Sequence, residues 1–144
     1  MLDQADLNLL NAVYRNATRG RAALLKLLAS VKNRRLKATL DAMTVRLKAS
    51  SDAAELRLKN NHTPAQGGST FKRLWAAFKL KLKQARNPSV SGTAEILLQL
   101  TAEGISDLTR ALRTYPTALP ETVSIARRLL ENEEAFFQKM KDYL

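Results

Sequence analysis

Asn60-Asn61-His62-Thr63-Pro64-Ala65-Gln66-Gly67-Gly68-Ser69 is the stretch that decides how this 144-residue chain is put together. Asparagine, proline and a glycine pair end helices and build loops. On either side of it, apolar residues recur at the spacing of one helix face, and nothing alternates with the period of two that a half-buried strand requires. A long helix therefore ends at Lys59, and the next long one begins only near Thr93. That connection is too long for a hairpin and long enough to run the length of a helix.

Outward from this break, the spacing predicts five helices over about 6–31, 33–59, 70–84, 93–115 and 120–143. The first takes Asp3 or Asp6 as N-cap and turns Leu7, Leu10, Tyr14, Ala17, Leu24, Leu28 and Val31 inward, with Arg21 interrupting that face. Gly20 lies inside it, where glycine costs roughly 1 kcal/mol relative to alanine, so a close helix contact or a slight bend is expected there. The second helix turns Leu36, Leu40, Met43, Leu47, Ala54 and Leu58 inward and packs antiparallel to the first across a tight turn. After Asn87-Pro88-Ser89, the fourth starts near Ser91 or Thr93, faces inward through Leu97, Leu100, Ile105, Leu108 and Leu112, and stops at Tyr115-Pro116. Pro120 opens the fifth, with Val123, Ala126, Leu129, Leu130, Phe136, Phe137 and Met140 inward. The expected fold is all-α, one domain over 1–144: an antiparallel four-helix bundle with ferritin-like connectivity and a short extra helix in the crossover between helices two and four. An up-down bundle with the short helix as a lid is the alternative.

Composition excludes several classes of protein. Without cysteine there is no disulfide framework, thiolate metal site or cysteine nucleophile. The start of the sequence is acidic where a secretory signal is basic. Lys or Arg also interrupts every candidate for the ~20 apolar residues that span a bilayer, so a cytoplasmic location and no transmembrane segment are expected. The net charge of +11 is unevenly spread: residues 1–60 carry +7, residues 61–92 carry +6, and residues 93–144 carry −2. Between Glu55 and Glu95 there is no acid against eight bases: Arg57, Lys59, Lys72, Arg73, Lys79, Lys81, Lys83 and Arg86. Such a surface is the electrostatic footprint of polyanion binding. No zinc finger, basic zipper region or stacking-aromatic RNA motif accompanies it, so binding through it should be weak, non-specific and salt-dependent. The short helix puts Phe71, Leu74, Trp75, Phe78 and Leu82 on one stripe and Lys72, Lys79 and Lys83 on another. It reads first as a lid docked on the bundle, then as an interfacial helix on an anionic membrane or a partner-binding helix. Exposed aromatics there would favour a partner or a homo-oligomer.

Three groups of residues carry a resemblance. They are Leu10-Asn11-Ala12-Val13-Tyr14-Arg15-Asn16-Ala17-Thr18-Arg19-Gly20, Thr93-Ala94-Glu95-Ile96-Leu97 with Gly104-Ile105-Ser106-Asp107-Leu108-Thr109-Arg110-Ala111-Leu112, and Leu129-Leu130-Glu131-Asn132-Glu133-Glu134. Together they resemble an uncharacterised family of small bacterial ferritin-like, rubrerythrin-related four-helix-bundle proteins. The motifs are mostly packing positions, and the wider relatives that the resemblance implies are di-iron proteins.

A di-iron site of that kind needs an inward Glu on each of two helices and a Glu-x-x-His pair on each of the other two, because residues three apart share a face. Here the residue three after each glutamate is Leu58, Leu98, Ser106, Ser124, Glu134, Phe136 or Phe137, and the one histidine, His62, lies in a loop. The first helix offers no glutamate; Thr18, Arg19 and Arg21 stand where the likeness implies one, and cations are not ligands. Of the acids that remain, Glu95, Glu103, Glu133 and Glu134 are the candidates for a residual carboxylate site, with surface charge as the simpler reading. Arg19, Arg21 or Arg46 pointing inward to pair with Glu95, Glu103 or Glu133 is a further possibility, set against arginine heads that snorkel to solvent. No phosphate-binding loop and no Gly-x-Ser-x-Gly occurs. The expectation is a non-catalytic binding or structural module of unknown ligand and no cofactor, with polyanion binding or residual metal binding as the alternatives.

Overall fold

The computed structural model describes residues 2–66, 76, 80 and 89–144. These residues form four helices and no strand: α1 Gln4–Leu28, α2 Arg34–Asn60, α3 Val90–Thr114 and α4 Pro120–Lys141. Of the short helix expected over 70–84, only Ala76 and Leu80 are described, both helical and exposed; its apolar stripe of Phe71, Leu74, Trp75, Phe78 and Leu82 lies outside the described residues. So do the bases Lys72, Arg73, Lys79, Lys83 and Arg86.

Each boundary has a local cause. Asp3 caps α1 by accepting from Asp6 N–H at 3.0 Å, and the Asp6 carboxylate accepts back from Asp3 N–H at 3.2 Å, a reciprocal pair that satisfies two otherwise orphan donors. The helix stops at Leu28, three residues short of the expected Val31, and Asn33 accepts from Leu36 N–H at 2.9 Å to open α2. At the far end of α2, His62 N–H donates to Lys59 O and Thr63 N–H to Leu58 O, both at 2.9 Å. This winding places His62 at φ 56°, the left-handed position that usually takes glycine, and Pro64 follows. Ser89 caps α3 by accepting from Gly92 N–H at 3.0 Å, so the helix begins at Val90, just ahead of the expected start. Tyr115 and Pro116 end it. The N-cap of α4, Leu119, has no capping side chain of its own; its N–H donates to Asp6 Oδ1 at 2.8 Å, a bond spanning 113 residues.

α1 packs on α2, α3 and α4, and α4 packs on α2 and α3; α2 and α3 scarcely meet. The Leu119–Asp6 bond sets the starts of α1 and α4 side by side. Leu2 N–H reaches Asn61 Oδ1 at 3.4 Å, and the Thr39 and Tyr143 hydroxyls lie 3.2 Å apart, which sets the end of α2 beside the start of α1 and the start of α2 beside the end of α4. The core holds Leu9, Leu10, Val13, Leu36, Leu40, Leu47, Leu58, Leu97, Leu108, Leu129 and Met140, all essentially free of solvent. Each such leucine contributes roughly 1.5–3 kcal/mol by leaving water.

The inward face of α2 is the expected one, with Leu36, Leu40, Met43, Leu47, Ala54 and Leu58 all buried. That of α1 is rotated. Leu9, Val13 and Leu27 are buried while Leu7, Tyr14 and Leu28 sit at its edge, and Arg21 flanks the face rather than interrupting it. Gly20 is explained by the close contact expected there: a Cβ on it would lie 3.2 Å from Leu47 Cδ1.

Candidate functional site

The apolar interior is broken at one level by polar groups from three helices. On α1, Asn16 and Arg19 belong to a secondary stripe, continued by Ala23, that faces α3. On α3 the buried series Leu97, Thr101, Gly104, Leu108 presents backbone and a hydroxyl at the same height. On α4, Glu133 takes its place in the series Ala126, Leu129, Glu133, Phe136, Met140, whose spacing of three, four, three and four carries it inward.

Asn16 Nδ2 donates to Gly104 O at 2.9 Å, fastening α1 to α3. The absent side chain of Gly104 makes room for the Glu133 carboxyl, since a Cβ there would lie 3.0 Å from both carboxyl oxygens and 3.3 Å from Asn16 Nδ2. Thr101 Oγ1 donates to Leu97 O at 2.6 Å. Arg19 is only 4% exposed, and its guanidinium lies 3.6 Å from the carboxylate of Asp107, a residue whose side chain is 44% exposed. Arg110 approaches the same carboxylate from outside at 3.7 Å. The ion pair therefore runs from the interior to the surface.

Burial pushes the Glu133 carboxyl up to about 8; Arg19 opposes this and Asp107 adds to it. At neutral pH Glu133 is a neutral acid, because a low-dielectric interior disfavours its charged form more than one guanidinium favours it. Its Oε2 is buried without a hydrogen-bond partner among the described residues. Asp6 is the contrasting buried acid: desolvation acts on it too, but the N–H groups of Leu119 and Asp3 outweigh that and hold it below the ordinary aspartate range.

The candidate metal-ligating acids are not brought together. Glu95, Glu103 and Glu134 are exposed, and Glu133 alone turns inward. Among the described residues no three of His, Cys, Asp and Glu form a cluster. At the level of Glu133, α1 supplies a guanidinium and an amide, so the donor set does not fit a two-metal centre. Arg19 also corrects the expectation that the arginine heads snorkel outward. Arg46 does lie exposed and Arg21 is half-buried at the periphery, but Arg19 is inside. Of the expected basic surface the described residues are Lys59, exposed, and Arg57, half-buried with its Nε enclosed. His62 is exposed and serves the α2 terminus.

Sequence reading did not single out Asn16, Thr101 or Gly104. The available signal was Gly104 itself, a helix-interior glycine one turn from Leu108. No described helix is long and apolar enough to cross a membrane. Compared with known protein families, curated proteins and solved structures, the chain matches none of them.

Proposed function

We propose that this chain is a ferritin-like bundle that works without metal, as a non-catalytic binding or structural module in the cytoplasm. Contacts at the helix ends support the connectivity. α1 and α4 start at one end of the bundle while α2 finishes there, and only residues 115–119 join the end of α3 to the start of α4, so α3 finishes at that end too and α2 and α3 run parallel. The end of α2 and the start of α3 then lie at opposite ends of the bundle, as ferritin-like connectivity requires. One observation carries the functional reading: the buried Arg19 guanidinium stands beside Glu133, where the fold's metal chemistry needs carboxylates and imidazoles. At that level Arg19 and Asn16 tie α1 to α3, and the neutral acid of α4 sits against them.

Elemental analysis of protein expressed with added iron, manganese and zinc tests this. The expected result is no stoichiometric metal; two metal ions per chain would overturn it.

A second reading is favoured by the charge of +11 and by the run of exposed bases Arg34, Arg35, Lys37, Arg46, Lys48 and Lys59 on α2. It is non-specific binding of a polyanion, with a steep salt dependence. Retardation of duplex DNA at low salt that is lost at high salt supports it, and no retardation at low salt removes it.

A further inference from the structure

The polar level of the bundle holds a partly open cavity of about 20 Å³, lined by Asn16, Arg19, Thr101 and Glu133 together with apolar side chains such as Leu24 and Phe136. A water centre needs roughly 10–15 Å³, so the space suits one molecule and not two. A molecule held there also needs two to four polar partners, and the walls supply them. Glu133 Oε2 is buried and otherwise unpartnered. Asn16 Nδ2 spends one of its two hydrogens on Gly104 O and keeps the other. Thr101 has committed its hydroxyl hydrogen to Leu97 O and retains a lone pair.

We infer that this chamber is a binding site for a single internal water, which joins Glu133 to Asn16 and Thr101 and whose exchange with solvent is slowed by the Arg19–Asp107 pair. The valences match. Water accepts from the Asn16 amide and has two hydrogens for oxygen partners and a second lone pair, so it meets Glu133 Oε2 as donor or as acceptor and Thr101 Oγ1 as donor. The volume and the apolar side chains in the lining leave no place for a second molecule. Arg19 lines the chamber, and its guanidinium lies 3.6 Å from Asp107, which is exposed and does not line it, so the ion pair stands on the solvent side of the chamber. A buried polar group rarely stays without a partner, and an internal water supplies one without any helix having to move. The inference stands on these side chains alone and does not depend on the ferritin-like reading.

The test is a water-to-protein cross-relaxation spectrum of the labelled, full-length protein, read at the Asn16 side-chain amide. The same spectrum is recorded for Glu133→Met, which keeps the volume and removes the polar oxygen. The wild-type protein should show a direct cross-peak from a long-lived water, and Glu133→Met should lose it. Absence of the cross-peak in wild type, or its persistence undiminished in a folded Glu133→Met, overturns the inference. Should Glu133→Met not fold, a high-resolution crystal structure of the wild type decides: one ordered water within hydrogen-bond distance of Glu133 Oε2 supports the site, and a dry chamber refutes it. Asp107→Asn leaves the chamber intact and frees Arg19, so the water should persist with a shorter residence time in field-dependent relaxation; an unchanged residence time removes the role of the ion pair in slowing exchange.

Discussion

Replacing Glu133 with glutamine should make the protein more stable at neutral pH, by an amount that grows with pH. The fold raises the Glu133 carboxyl from its ordinary 4.5 to about 8. Below 4.5 the folded and unfolded chains both hold the proton, and the group adds no pH dependence to stability. Between 4.5 and about 8 only the unfolded chain releases it. Stability then falls by about 1.4 kcal/mol for each pH unit. Above that window both states are ionised and the loss is complete. At pH 7 the wild type has lost about 3 kcal/mol relative to acid conditions. Glutamine keeps the shape and cannot ionise, so Glu133→Gln should match the wild type near pH 4.5 and exceed it by about 3 kcal/mol at pH 7. Urea denaturation of both proteins from pH 4.5 to 8 reads this directly, and an unchanged m-value would show that the unfolded reference is the same. The general repulsion of a chain carrying +11 acts on both and cancels in the difference. A stability difference that stays flat across the window would refute the reasoning, because the carboxyl would then be ionised in the fold at every pH tested.

Three further outcomes follow from the same geometry. Asp6→Ala removes the reciprocal cap of α1 and leaves Leu119 N–H without its acceptor, so it should cost about 2–4 kcal/mol in chemical denaturation at pH 7. Because the Asp6 carboxyl is held below its ordinary value, its stabilisation is present above that value and is lost as pH falls through the folded one, so the variant's deficit should shrink in acid. Gly104→Ala should destabilise despite alanine's better helix propensity, since its Cβ meets the enclosed Glu133 carboxyl; Gly20→Ala should be neutral or gain up to about 1 kcal/mol, because Leu47 can yield. His62→Gly should raise the thermal midpoint, with a gain of about 0.5–1 kcal/mol, by relieving a left-handed conformation that glycine adopts freely.

The sequence shows the α2 face plainly because its leucines recur at three and four with charged residues between them. The α1 face was harder to phase. Leu7, Leu9, Leu10, Leu24, Leu25, Leu27 and Leu28 leave few directions polar, so periodicity alone does not select the inward one. Glu133 falls in register with Leu129, Phe136 and Met140, so its position was legible, whereas its chemistry argued for the surface. What brings it inside is Gly104, 29 residues earlier on another helix, and no local pattern encodes that meeting. The burial of Arg19 has the same cause: its neighbours Asp107 and Glu133 are far away in sequence, and only the assembled bundle brings them near. The Asp6–Leu119 bond, which supplies the missing cap of α4, is equally invisible to a reading along the chain.

A neutral glutamic acid and an arginine share the middle of the bundle. A pH titration of the Glu133 side-chain carboxyl carbon by NMR tests this most directly. The expected result is a protonated carboxyl at pH 6 that titrates at about 8. A midpoint between 4 and 5, as for a glutamate in water, would contradict it.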